Sequence, residues 1–102
     1  MALELNDNNF EDSVKEGIAV IDFWAPWCGP CKMMTPVINK IAANNPDIIV
    51  GKVDIDASPQ IAQKYNVMSI PTIIIFKNGE PVDQTVGVVN EKVIMAKVEV
   101  AK

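Results

Sequence analysis

Apolar residues along the chain fall into two kinds of run. Ile18-Ala19-Val20-Ile21-Asp22-Phe23-Trp24-Ala25, Ile48-Ile49-Val50-Gly51-Lys52-Val53-Asp54-Ile55 and Thr72–Phe76 are short and nearly continuous. That is the pattern of strands covered on both faces by helices. Between them Met34, Val37, Ile38, Ile41 and Ala42 recur on one helical stripe, with Lys32, Asn39 and Lys40 off it. Pro36 falls inside this helix, where it deletes the hydrogen bond to residue 32 and is expected to kink the axis. Asn44-Asn45-Pro46 ends it.

The remaining elements follow from shorter signals. Ala2–Leu5 predicts an opening strand, and Asn6 to Asn9 offers cap oxygens to a first helix through Phe10 and Val14, ending near Gly17. Ser58-Pro59 predicts a short helix to about Tyr65, with Ser as the cap and Pro at the first position. Lys77-Asn78-Gly79-Glu80 marks a type I′ hairpin, and its second strand is expected from Val82 to Val89, after Pro81, as an edge strand. Asn90 is placed to cap a last helix over Val93, Ile94, Ala96, Val98 and Ala101, although β-branched residues weigh against it. The sum is an α/β fold of three layers: a central five-stranded mixed sheet flanked by about four helices. No repeat or linker breaks the pattern, so residues 1–102 are expected to form a single domain.

Composition narrows the function classes. With 102 residues, 49% hydrophobic and 22% charged, the chain can bury an ordinary globular core. The net charge is −4, and the nine basic residues are all Lys, scattered singly. Nucleic-acid binding is not expected, because it draws on clustered basic charge. The first residues carry no basic stretch followed by an apolar one, and the longest apolar runs are too short to span a bilayer. A soluble protein with no membrane partner, in the cytoplasm, is the expectation. In a reducing compartment, two cysteines three apart point to redox or metal chemistry more than to a structural staple.

Those cysteines stand in Asp22-Phe23-Trp24-Ala25-Pro26-Trp27-Cys28-Gly29-Pro30-Cys31-Lys32. A helix beginning at Gly29–Pro30 puts Cys28 at the cap and Cys31 in the first turn, on the same side. The pair can then close or open with modest adjustment. Unpaired N–H groups and the positive end of the helix favour a thiolate on Cys28, making it the nucleophile. Pro30 suits a first-turn position, where an N–H would be idle. Cys31 would resolve the mixed disulfide, and Asp22, an acid inside a buried strand, is the candidate base for its thiol. Other readings stay open. A staple closing so small a ring is worth only about 2 kcal/mol. With no His and no other Cys, zinc would need two chains. Asp22 could be a strand-end carboxylate reaching water.

The block from Asp22 to Lys32, with Ser69-Ile70-Pro71-Thr72, Lys77-Asn78-Gly79 and Val86-Gly87, resembles the thioredoxin family over essentially the whole chain. The resemblance implies a disulfide reductase with no bound cofactor, working through a reversible Cys28–Cys31 disulfide recharged by an external thioredoxin reductase. Disulfide-containing proteins would be its targets, and a monomer is expected. It also implies a cis Pro71 against the Cys pair, a buried acid at Asp22 with Lys52 as its neighbour, and a docking surface from Trp27, Gly29, Pro30, Ile70, Pro71, Gly87 and Met68. Ser69 departs from the Gly that many relatives carry, and the segment Asn44–Asp47 is shorter than in the longest ones. The same fold serving as a redox-independent binding or chaperone subunit is the alternative.

Overall fold

In the computed structural model, which describes residues 2–102, each apolar run becomes a strand and each stripe a helix. The order is β1 (Leu3–Leu5), α1 (Phe10–Val14), β2 (Ile18–Trp24), α2 (Gly29–Asn44), β3 (Ile49–Asp54), α3 (Pro59–Lys64), β4 (Thr72–Lys77), β5 (Glu80–Val86) and α4 (Glu91–Ala101). The sheet runs β1-β3-β2-β4-β5. β1, β3 and β2 are parallel, whereas β4 and β5 join antiparallel. This is the expected mixed five-stranded sheet with four helices.

β2 is central, and its two faces feed two cores. Ala19, Ile21 and Phe23 point into a cluster with Phe10, Val14, Val53, Ile61, Ile74 and Phe76. Val20, on the other face, joins Met34, Ile38, Ile41, Val50, Ile73, Ile75, Ile94 and Val98. The second cluster is the α2 and α4 side, and Asp22 and Trp24 share the face of Val20 by strand alternation. Pro36 lies inside α2, which runs unbroken on either side of it.

Several expectations shift. α1 is a short helix that stops at Val14, and Gly17, at φ +73°, lies beyond it in the connection to β2. Ser58 does stand at the N-cap of α3, yet its side chain makes no capping bond. Asp7 caps the helix from across the fold, its Oδ1 accepting the Ile61 N–H at 3.1 Å. The hairpin strand is Glu80–Val86, displaced towards its start. Pro81 lies within it and faces Phe76, at the register shift where Ile75 pairs with Asp83. An edge strand at a bulge can take a residue without an N–H. At the other end Gly87, with φ +98°, turns the chain out of the strand before Val88. The hairpin turn has positive φ at both Asn78 (52°) and Gly79 (85°), as a type I′ turn requires. In α4 the buried residues are Ile94 and Val98, while Val93 and Ala96 face outward. Asn90 does cap it, accepting the Val93 N–H at 3.1 Å.

Candidate active site

The Cys loop joins the C-terminal end of β2 to the N-terminus of α2. Cys28 is the N-cap, in an extended conformation at φ −92°, ψ 107°, and Gly29-Pro30 opens the helix. Cys28 and Cys31 form a disulfide, with Cα atoms 5.3 Å apart. The Cys31 N–H donates to Cys28 Sγ at 3.2 Å. A helix start therefore aims both its dipole and a specific donor at this sulfur, the arrangement that stabilises negative charge there. Both cysteines are nearly buried, at 5% and 2% exposure, and pack with Ala25, Trp24, Ile55 and Ile70. Gly29, Pro30 and Trp27 are exposed around them.

The segment facing the pair comes from the start of β4. The Ile70–Pro71 peptide bond is cis. Pro71 is buried, and its carbonyl accepts the Gly87 N–H at 2.8 Å. Thr72 is fully buried, and its hydroxyl donates to the Ser69 carbonyl. A Cβ at Gly87 would meet nothing within 4 Å. The glycine is needed for its backbone conformation, not for space.

Asp22 is fully buried, and neither carboxylate oxygen has a hydrogen-bond partner. Removal from water pushes its pKa up to about 7, with the positive charge of Lys52 acting weakly the other way. Lys52 is directly opposite Asp22 in the β2–β3 register. No ion pair forms between them. The ammonium instead sits over the Trp24 ring, 4.6 Å from its centroid. Among the described residues, the buried side-chain polar atoms without partners are those of Asp22 and Trp24 Nε1. Unsatisfied buried groups are rare and cluster where chemistry needs them.

Trp27 has a partner that the sequence does not reveal. Its indole N–H donates to Asp56 Oδ2 at 2.8 Å. Asp54 in turn accepts the Asp56 N–H at 2.9 Å, which fixes the loop after β3. The one available signal was Asp-Ile-Asp at a strand end, where a carboxylate bonds the backbone two residues on. Among the described residues no group of three or more His, Cys, Asp or Glu side chains is placed to hold a metal ion. No helix there is long and apolar enough to cross a membrane.

A redox-closed C-x-x-C pair at a helix N-terminus, on a mixed α/β sheet, defines a thiol–disulfide exchange protein. Comparison with known proteins agrees with that class. The thioredoxin family model matches residues 1–100. A thioredoxin of Chlamydia trachomatis is 51% identical over 87 residues, covering 85% of each chain. Thioredoxins of Staphylococcus saprophyticus and Staphylococcus aureus are 48% and 49% identical, each covering 83% of this chain and 83% of the relative. The chain belongs to the thioredoxin family. It is a thiol–disulfide oxidoreductase of the protein-disulfide reductase type.

Proposed function

We propose that the two cysteines divide the reaction, Cys28 attacking and Cys31 resolving. The Cys28 thiolate displaces one sulfur of a target disulfide, forming a mixed disulfide and releasing a target thiolate that takes up a proton. Asp22 accepts the proton of the Cys31 thiol, and the Cys31 thiolate attacks Cys28 Sγ. The second target sulfur leaves as a thiolate and is protonated in turn. The target has gained two electrons and two protons, and the Cys28–Cys31 disulfide is restored. An external reductase then returns two electrons and two protons to the pair. The observation that carries this assignment is the Cys31 N–H donating to Cys28 Sγ at the helix cap. It favours charge on Cys28, the sulfur at the helix cap, and leaves Cys31 to act second.

Trp27, Gly29, Pro30, Ile70, Pro71 and Gly87 form the surface that receives an extended target segment on this reading. Lys52 tunes Asp22 through its charge. Residues 1–102 work as one domain and as a monomer in the cytoplasm, where a thioredoxin reductase can keep the pair reduced. Disulfide-bonded proteins are the substrates.

Trapping tests the division of labour. Cys31→Ser should accumulate a mixed disulfide between Cys28 and a target, visible on non-reducing gels and lost with dithiothreitol. Cys28→Ser should trap nothing and reduce nothing. Trapping by the Cys28→Ser protein would reverse the two roles.

A further inference from the structure

Among the described residues the methionines divide sharply by exposure. Met34 is fully buried and Met95 is partly buried against the α2–α4 core, whereas Met33 is 64% and Met68 93% exposed. Met68 lies in the connection between α3 and β4, between Val67 and Ser69. It stands two residues before Ile70, so their Cα atoms are within about 7 Å. Ile70 packs on the Cys28–Cys31 cluster. On the other side of Pro71, Val86 pairs with Thr72, and both Val86 and Val88 are exposed. The most exposed thioether of the described chain therefore sits at the rim of the apolar surface around the reactive pair.

We propose that Met68 is a site of oxidative modification by peroxide or hypochlorite, and that its sulfoxide weakens target docking. This inference rests on the docking surface given above. With hydrogen peroxide, the Met68 Sδ lone pair takes one oxygen as the O–O bond breaks. The sulfur is oxidised by two electrons, the peroxide is reduced, and the second oxygen leaves as water. A flexible, polarizable, apolar side chain becomes a polar one with a strong acceptor. Placed against an apolar target segment, that oxygen must be desolvated or left facing water, and either outcome reduces the contact. In the disulfide form the active site meanwhile keeps its chemistry, because the closed Cys pair offers peroxide no thiolate and Asp22 is sealed from solvent. Met68 would thus lower target capture under oxidant stress while the redox pair stays intact.

The test oxidises the disulfide form with hydrogen peroxide, locates sulfoxides by peptide mass mapping, and measures insulin reduction with dithiothreitol as the electron source. Wild type, Met68→Leu and Met33→Leu are each compared with their own untreated form. Sulfoxide should form at Met68 well ahead of Met34 and Met95. KM should rise about three- to tenfold in treated wild type and Met33→Leu, the equivalent of about one or two lost methylene contacts. The kcat should hold, and treated Met68→Leu should show no KM change. The same KM rise in treated Met68→Leu, or none in wild type carrying the Met68 sulfoxide, overturns the proposal. Untreated Trp27→Ala separates the two layers of the argument. A wild-type KM there removes the docking surface and this inference with it. A raised KM there, beside an inert Met68 sulfoxide, removes this inference alone.

Discussion

At Asp22 stability and chemistry conflict. Its carboxyl holds a proton up to about pH 7 in the fold, against an ordinary value of 3.8. The folded state thus binds the proton more tightly than the unfolded chain does. Stability from this group is fully present below about pH 4 and is lost as pH rises towards 7, levelling off above that. A gap of about 3 pH units, at about 1.4 kcal/mol each, comes to about 4 kcal/mol. Asp22→Ala removes that slope and adds a small, pH-independent cavity cost. Urea midpoints at pH 4.5, 6 and 8 should show the variant gaining on wild type with rising pH, by up to about 4 kcal/mol. A flat difference would mean that the carboxylate is solvated after all. On the proposed mechanism the same substitution slows the resolving step, and the wild-type rate falls as pH drops through about 7. Lys52→Met should move that midpoint upward, since removing a nearby cation eases protonation.

At the scale of elements, the ends are held by partners remote in sequence. Asp7 caps α3 from 54 residues away, accepting the Ile61 N–H. Asp7→Ala should therefore lower the denaturation midpoint by an equivalent of about 0.5–2 kcal/mol, the usual loss for a helix cap. Ser58→Ala, at the nominal cap with no capping bond, should not cost this helix a cap. Equal losses from the two variants would sink the assignment. The contrast also shows what the chain discloses. Apolar runs and one stripe located β2, β3, β4 and α2, because burial on a sheet face or helix face writes its period into the sequence; shorter signals, cap and turn residues among them, located the other five. Asn90, three residues before the N–H it caps, was equally legible. Asp7 was not, because its partner is set by packing. Pro81 misled for a related reason: a proline argues against a paired strand until a bulge on the edge makes room for it. In the site, Cys28, Cys31 and Asp22 stood out as thiols and an acid in an apolar run. Asp56 and the Trp24 ring under Lys52 did not, since each matters only through a tertiary contact.

Across the whole molecule, β2 separates two cores with different duties. The α2–α4 side carries the face of Asp22 and Trp24 and leads to the Cys pair, whereas the α1–α3 side is built on aromatic packing. Phe10, fully buried, lies 5.4 Å from Phe76, 5.7 Å from Tyr65 and 6.4 Å from Phe23, ring centroid to centroid. Phe10, Phe23 and Phe76 belong to this core and not to the reactive cluster of Ala25, Cys28 and Cys31, although Ile55 and Ile70 pack against both. Stability and redox poise should then be separable. Phe10→Ala should cost about 3–5 kcal/mol by loss of transfer energy and creation of a cavity. The folded variant's redox midpoint should move by less than about 15 mV, under 1 kcal/mol for a two-electron couple. Denaturant titration and a glutathione redox titration on the same protein measure both quantities. A midpoint that shifts in proportion to the lost stability would show that the sheet transmits strain from one core to the other, and that the fold holds the Cys pair as one body.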